Sequence, residues 1–376
     1  LVRHEQGATH AADGYARATG KPGVVLVTSG PGATNAITGI ATAFMDSIPM
    51  VIISGQVQSH LIGTDAFQET DMIGVSRPIV KHSFTVDKQE NIANIVAEAF
   101  HIATSGRQGP VLIDVPKDLT NPDDLFDFVY PDKVHVRSYN PPIKPENHQV
   151  SRAVDAILAS ERPVIYAGGG TISSNASKEL RELNDLIDAP VTNTLMGLGV
   201  FPGTHKRFLG MLGMHGTYQA NMAMHNADLI IALGARFDDR ITNAPDKFAP
   251  RAKVIHFDVD HSSVSKIIEA DIAVFGQIKD SLQAINNHLK TKIDEIDNEK
   301  LAPWHQQISD WKEKHGLNHD LYKIEDDSGP ILPQAAVQHI YQESQGKAFV
   351  TSDVGQHQMF AAQYYHFDEP RKWINS

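Results

Sequence analysis

Three glycine-containing segments of this sequence carry side chains that could do chemistry. Glu5 begins a run of Gly, Ala and Thr residues, which would leave its carboxylate, a candidate acid–base group, against small side chains. Residues 29–35 (SGPGATN) follow an apolar run, and their glycines would let a ligand approach free backbone N–H groups. Residues 234–240 (GARFDDR) follow another apolar run and would bring alternating charges to the end of a strand, where α/β proteins bind ligands.

Each segment also has a purely structural interpretation. The helix dipole would favour Glu5 at a helix N-terminus. Residues 29–35 and the similar residues 168–171 (GGGT) could be tight turns between a strand and a helix. Residues 234–240 could be a solvated charge cluster, although their position after an apolar run favours a site. The two aspartates of residues 257–260 (FDVD) could accept ribose hydroxyls or cap a following helix.

Composition excludes several classes of function. The chain has 376 residues, which at ~100–200 residues per domain predicts two or three domains. It has 33 Lys and Arg against 45 Asp and Glu, so its net charge of −12 argues against nucleic-acid binding. The lack of cysteine excludes disulfides, cysteine-zinc sites and thiol nucleophiles. No apolar run approaches the ~18 residues of a membrane span, so we expect no membrane partner.

Common catalytic signatures do not occur. Residues 20–22 (GKP) and 346–348 (GKA) lack the Ser or Thr of a Walker A loop, and residues 4–8 (HEQGA) lack the second His of a zinc-protease helix. Ser173 replaces the third glycine of the dinucleotide fingerprint after residues 168–170. The 19 histidines are scattered, so we predict hydrogen-bonding roles for them and no metal ligands in this chain.

Apolar β-branched runs alternate with segments of helical period, which predicts consecutive doubly wound α/β domains with parallel sheets. The predicted strands are residues 23–28, 50–54, 109–115, 163–167, 189–193, 229–233, 253–258 and 347–352. The predicted helices are residues 4–18, 32–44, 88–104, 151–160, 174–186 and 219–226. Segments 121–147 and 290–330 lack this pattern and are predicted to connect domains at 1–125, 148–289 and 330–376.

Taken together, these segments resemble the thiamine-diphosphate-dependent enzymes, and within them the large catalytic subunit of biosynthetic acetolactate synthase. The resemblance rests on HEQGATHAADGYARATG (4–20), TSGPGATN (28–35), GTDAFQETD (63–71), GPVLIDVPKD (109–118), GMLGMHGT (210–217), GARFDDR (234–240) and SDVGQHQM (352–359). HEQGA and GPGATN are common to the wider superfamily, whereas AFQE and RFDDR are much narrower.

The resemblance implies catalytic roles for matching residues. Glu5 matches the carboxylate that hydrogen-bonds N1′ of the cofactor's aminopyrimidine. Gly30, Phe67, Gln68 and Lys117 match residues around the reacting carbons and the active-site channel, and Arg236 matches the residue thought to hold the second keto acid. His60 stands where some relatives carry Arg, which leaves its role open. Implied diphosphate-domain contacts are Val354, which would bend the cofactor, with Gly355, Gln356 and His357.

The middle domain resembles the FAD-binding domain of this family, in which the flavin is expected to be structural. The implied flavin contacts are Arg107, Gly168, Gly169, Gly170, Thr194, Leu195, Met196, His215, Gly216, Thr217, Gly234, Arg236, Asp238, Arg240, Asp258 and Val259, within the wider stretches 215–236 and 258–277.

The implied reaction decarboxylates pyruvate on thiamine diphosphate and joins the two-carbon unit to a second pyruvate or to 2-ketobutyrate, in valine, leucine and isoleucine biosynthesis. The resemblance also implies a homodimer or homotetramer, with Glu5 facing a neighbouring subunit, and a small regulatory subunit. The family's Mg²⁺ motif would lie beyond Ser376, and the strand and helix before Glu5 would lie before Leu1. We therefore expect the chain to be a fragment that is itself inactive.

Two alternatives stay open. One is a related enzyme, either pyruvate oxidase or a flavin-free catabolic acetolactate synthase; residues 234–240 and the flavin-contact stretches argue against the flavin-free form. The other is a non-catalytic FAD- or nucleotide-binding module.

Overall fold

The computed structural model describes residues 2–323 and 329–376. These residues divide into two compact units: one runs to Pro141 and includes Ser376, and the other spans Pro142–Asn375. Leu1 and residues 324–328 of the predicted second connection lie outside the described residues. The three-domain division made from the sequence stays a prediction.

The first unit alternates helices with strands of one parallel sheet. Its elements are α1 (Glu5–Thr19), β1 (Gly23–Val27), α2 (Pro31–Asn35), α3 (Ile37–Met45), β2 (Met50–Gln56), α4 (Met72–Ser76), β3 (His82–Thr85), α5 (Ile92–Thr104) and β4 (Pro110–Pro116). Within the described residues the sheet has four strands in the order β1-β2-β4-β3, and every pairing is parallel.

Small residues set how closely the first unit packs. A Cβ atom built on Gly39 of α3 would lie 2.0 Å from Oγ1 of Thr9 on α1, and one built on Gly23 of β1 would lie 2.3 Å from the carbonyl oxygen of Ala12. Helix α1 therefore packs against α3 and β1 at distances that only glycine permits. This packing fixes the start of α1, and with it Glu5.

The second unit is larger and is built on the same principle. Its elements are α6 (Asn147–Ala159), β5 (Pro163–Ala167), α7 (Gly169–Ser173), α8 (Ser177–Ile187), β6 (Val191–Asn193), β7 (Phe208–Met211), α9 (Tyr218–Asn226), β8 (Leu229–Leu233), α10 (Asp239–Thr242), β9 (Lys253–Asp258), β10 (Ile272–Phe275), α11 (Ile278–Thr291), α12 (Ala302–His315), α13 (Pro333–Ser344), β11 (Val350–Thr351), α14 (Gln356–Tyr364) and β12 (Trp373–Ile374).

Over the described part of this unit, the main sheet has six parallel strands in the order β10-β9-β8-β5-β6-β7. Numbered from its first strand, this is the order 3-2-1-4-5-6 of dinucleotide-binding folds. The chain leaves β5 in one direction and returns at β8 to build the other half. The switch point lies between β5 and β8, and both of these strands are buried throughout.

The predicted second connection contributes to the core. Trp304 of α12 is 2% exposed, and its indole N–H donates to the carbonyl oxygen of Pro163 at 3.1 Å. Segment 121–147, in contrast, has no helix or strand before α6 begins at Asn147. The short parallel pair β11 and β12 lies near the end of this unit.

The predicted α/β class with parallel sheets is confirmed. The bounds predicted for β5, β8 and β9 match the structure, and β5 and β8 are continuous apolar runs. The helix predicted over residues 32–44 is two helices that meet at Ala36. The strand predicted over residues 347–352 is only Val350–Thr351, and strands β3, β7, β10 and β12 were not predicted.

Candidate active site

One edge of the first sheet collects several of the predicted catalytic residues. Strands β1, β2 and β4 are parallel and in register, with Val27 beside Ser54 and Ser54 beside Asp114. Their carboxyl ends therefore meet at one edge. The Gly30 turn follows β1, residues 57–71 follow β2, and Lys117 follows β4 in an exposed 3-10 turn.

Glu5 lies beside the glycine turn. Its Oε2 accepts a hydrogen bond from Nδ2 of Asn35 at 3.1 Å. A Cβ atom built on Gly32 would lie 3.4 Å from Oε1 of Glu5. The Asn35 hydrogen bond, followed by one to its own backbone, lowers the pKa of the half-buried Glu5 carboxyl below its ordinary value. At neutral pH, Glu5 is therefore an ionised acceptor held against the turn.

The turn after β1 also contacts the loop after β2. Gly30 has φ +60°, and a Cβ atom built on it would lie 2.7 Å from the carbonyl oxygen of Gln68. Gln68 itself has φ +63°, so both backbones are in the left-handed region at their contact. The fold therefore joins Glu5, Gly30 and Gln68, which are distant in sequence, through one chain of contacts.

Side chains at both ends fix residues 57–71, called here the Phe67 loop. The backbone N–H of Ser59 donates to Oδ1 of Asp118 at 2.7 Å. At the other end, Nε2 of Gln56 donates to the carbonyl oxygen of Thr70 at 2.8 Å. Phe67, between these ends, is 89% exposed. The loop is thus anchored at its ends and presents an aromatic ring to its surroundings.

A buried carboxyl supports this edge from below. Asp114 is 3% exposed and accepts hydrogen bonds from Oγ of Ser54 at 2.6 Å and Nε2 of Gln56 at 3.0 Å. Burial raises the pKa of Asp114 above its ordinary value, although the two hydrogen bonds oppose this. Sequence analysis missed Asp114, Asp118 and Asn35. All three fall within quoted motifs, but no pattern indicated their partners.

The switch point of the second sheet brings two predicted flavin-binding turns together. The N–H of Gly168 donates to the carbonyl oxygen of Leu233 at 2.9 Å, and that of Gly170 donates to the carbonyl oxygen of Gly234 at 3.1 Å. A Cβ atom on Gly168 would lie 2.3 Å from the carbonyl oxygen of Gly234, whereas one on Gly169 would be 3.3 Å from Cβ of Met196. Close contact with the protein backbone therefore explains why positions 168 and 170 are glycine, whereas a side chain at position 169 would have more space.

Other predicted flavin contacts lie where further strands end at the same edge of the sheet. Thr194, Leu195 and Met196 follow β6. Oγ1 of Thr194 is buried without a hydrogen-bond partner among the described residues, and an unpaired buried hydroxyl suits a ligand contact. Oδ1 of Asp258, at the end of β9, accepts from the N–H of Asp260 at 2.8 Å, so it shapes a turn.

Residues 234–240 combine buried and exposed side chains. Phe237 is buried with φ +54° and packs against the rings of Tyr166 and His256. Arg236, Asp238 and Arg240 are exposed. The buried side chain of Phe237 therefore holds the neighbouring charged side chains at the surface, at the carboxyl edge of the sheet.

The remaining predicted site residues occupy separate places. His215 is exposed, Gly216 packs against the backbone of Met211, and Thr217 caps α9. In the second unit Val354 is 76% exposed, and Gly355 precedes α14, whose first residues are Gln356 and His357. Arg107 lies in the first unit, where its Nε donates to Oγ of Ser47 at 2.8 Å, whereas the other predicted flavin contacts lie in the second.

The described residues contain neither a cluster of metal ligands nor a membrane-spanning helix. Residues 2–323 and 329–376 contain no cluster of three or more His, Cys, Asp or Glu side chains able to hold a metal ion. No helix in these ranges is both long enough and apolar enough to cross a bilayer.

Comparison with known proteins identifies the family. The profile "Thiamine pyrophosphate enzyme, N-terminal TPP binding domain" matches residues 1–75, and "Thiamine pyrophosphate enzyme, central domain" matches residues 150–285. The chain belongs to the thiamine pyrophosphate enzyme family. The first profile covers Glu5, Gly30 and the Phe67 loop. The second covers all six strands of the larger sheet and ends before α12.

The similar curated proteins are acetolactate synthase large subunits. The chain is 55% identical over all 376 residues to the one from Buchnera aphidicola subsp. Acyrthosiphon pisum, covering 64% of that protein. It is 52% identical over its whole length to the isozyme 3 large subunit of Escherichia coli, of which it covers 65%. The protein from Cyanidium caldarium is 47% identical over 382 residues, with 63% covered. The chain thus spans less than two thirds of these relatives.

Proposed function

We propose that this chain belongs to an acetolactate synthase large subunit, which decarboxylates pyruvate and joins the two-carbon unit to a second pyruvate or 2-ketobutyrate. The observation that carries the proposal is the identity of 52–55% over the whole chain to proteins with that name. Two local contacts support it: Asn35 holds an ionised Glu5 carboxylate beside Gly32 of the glycine turn, and the backbone of Gln68 packs against Gly30 of the same turn.

The residues of the first unit fit thiamine diphosphate. The bound cofactor would supply the carbanion-stabilising chemistry that this reaction needs. Glu5 would accept a hydrogen bond from an aminopyrimidine nitrogen, and Asn35 would keep the carboxyl ionised and oriented for it. Gly30 packs against the backbone of Gln68, so a side chain at this position would displace the loop that carries Phe67 and Gln68. Phe67, Gln68 and Lys117 would line the approach to the site.

We also propose that the second unit binds FAD in a structural role. The 3-2-1-4-5-6 strand order, the glycine turns at its switch point and the unpaired Thr194 hydroxyl support a dinucleotide ligand there. The relatives' designation "large subunit" supports a small-subunit partner, and a homodimer or homotetramer stays a proposal. For Mg²⁺, the described residues offer no cluster of ligands, so we assign it no step.

Two measurements on the full-length gene product test this function. The wild type should form acetolactate from pyruvate with thiamine diphosphate, Mg²⁺ and FAD, and the purified protein should show flavin absorbance. Glu5→Gln removes the ionised acceptor, so it should abolish exchange of the thiazolium C2 proton while flavin stays bound. Glu98→Gln, on the exposed side of α5, is the matched control and should exchange normally. Wild type without acetolactate, or normal exchange in Glu5→Gln, would refute the proposal.

A further inference from the structure

Glu69, next to the predicted channel residues, folds back onto its own loop. Its Oε1 accepts a hydrogen bond from the N–H of Gly63, and its Oε2 accepts one from the N–H of Ala66 at 3.0 Å. Its own N–H donates to the carbonyl oxygen of Ala66 at 2.9 Å. The hydrogen bond from Gly63, followed by that from Ala66, lowers the pKa of Glu69, so the carboxylate is ionised at neutral pH. One charged side chain thus closes the tip (residues 63–69) of the Phe67 loop.

The backbone of this tip needs such a constraint. Gly63, Asp65 and Gln68 have φ values of +86°, +59° and +63°. Asp65 and Gln68 are L-residues in the left-handed region, which the chain avoids unless other contacts hold it there. The anchors of the loop, Ser59 and Thr70, lie outside the tip. The Glu69 carboxylate is the group that ties the two sides of the tip together through backbone donors.

The conformation of the tip decides what meets the glycine turn. The carbonyl oxygen of Gln68 lies so near Gly30 that a Cβ atom there would be 2.7 Å away. Phe67 and Gln68 occupy two consecutive positions immediately before Glu69. If the tip relaxes, the backbone of Gln68 leaves Gly30, and the exposed ring of Phe67 loses its fixed direction.

We propose that Glu69 is a positioning residue, which orders the tip of the Phe67 loop and thereby holds the backbone of Gln68 against Gly30 and fixes the direction of the Phe67 ring. Its effect on turnover rests on the proposed function, whereas its effect on loop order does not. A carboxylate suits this task because both oxygens accept hydrogen bonds, and a charged acceptor binds N–H groups more strongly than a neutral one. A glutamine has one acceptor oxygen, and its NH₂ group would face an N–H donor.

The first experiment measures loop order without using activity. In Glu69→Gln, amide hydrogens of residues 61–68 should exchange about tenfold faster than in the wild type, because local opening no longer breaks two charge-assisted hydrogen bonds. Glu90→Gln makes the same charge change at an exposed position before α5 and should leave this exchange unchanged. Unchanged exchange in Glu69→Gln would overturn the proposal, whatever the protein catalyses.

The second experiment separates positioning from general stability in the full-length enzyme. Glu69→Gln should raise the KM for pyruvate about tenfold while leaving the thermal midpoint within about 2 °C of the wild type. A lowered midpoint with an unchanged KM would indicate a merely structural role and overturn the proposal. If Glu69 acts through Phe67, adding Glu69→Gln to Phe67→Ala should change the KM less than Glu69→Gln does alone. Full additivity would contradict that route.

Discussion

Replacing Gly39 by alanine tests whether close helix packing positions Glu5. A Cβ atom at Gly39 would lie 2.0 Å from Oγ1 and 2.5 Å from Cβ of Thr9, whereas ordinary contacts begin near 3.4 Å. Rotation of the Thr9 side chain could move Oγ1, at the loss of its 2.8 Å hydrogen bond to the carbonyl oxygen of Gln6. Rotation cannot move Cβ of Thr9, so α1 and α3 must separate by about an ångström.

The expected magnitude follows from these distances. Overpacking of a core costs about 1–3 kcal/mol, and the backbone shift required here places Gly39→Ala at the upper end. Replacing a helical glycine by alanine stabilises the helix by about 0.5–1 kcal/mol. We therefore expect the free energy of unfolding to fall by about 2 kcal/mol in total. With a urea dependence of about 2 kcal/mol per molar, the unfolding midpoint of this unit should fall by about 1 M. Moving α1 by an ångström would also stretch the 3.1 Å hydrogen bond between Glu5 and Asn35 beyond bonding distance.

The assay must report on the first unit. A urea titration read by hydrogen exchange in peptides from α1 and α3 gives a midpoint for these two helices. The matched control is Gly14→Ala on α1, where a Cβ atom would meet nothing within 4 Å. It should be stabilising by about 0.5–1 kcal/mol. A wild-type midpoint for Gly39→Ala, or an equal loss in Gly14→Ala, would refute the packing argument.

Two further predictions concern the second unit. Burial lowers the pKa of His256 from 6.5 to about 4, so the unfolded chain takes up a proton at higher pH than the folded one, and stability should fall by about 3 kcal/mol between about pH 6.5 and 4. Across this range, the urea unfolding midpoint should change less with pH in His256→Gln than in the wild type. The same change with pH in both proteins would exclude this histidine as the cause. Gly168→Ala should lose about 2–3 kcal/mol against the Gly234 carbonyl, and Gly169→Ala less than about 1 kcal/mol, both from urea unfolding; equal losses would contradict the contact distances.

The buried central strands were predictable from sequence because they are continuous apolar runs. Short edge strands were not: β3 (HSFT) carries too few apolar residues to stand out, β7 (FLGM) is only four residues long, and pairing with a neighbour makes them strands. The break between α2 and α3 at Ala36 has no proline or glycine to mark it. Helix α12 looked like part of a connection because its mean composition is charged, yet two of its residues, Trp304 and Ile308, are buried in the core.

Residue type and local spacing by themselves determined the α/β class, the exclusion of thiol and cysteine-zinc chemistry, and the candidate residues Glu5 and Gly30. These features depend on neighbours in sequence. Tertiary structure alone decided that Asn35 lowers the pKa of Glu5, that Gln68 contacts Gly30, and that the turn after β8 requires glycine at positions 168 and 170. The physical reason is that hydrogen bonds and close backbone contacts between distant segments depend on which strands are neighbours in the sheet, and no local pattern encodes that order.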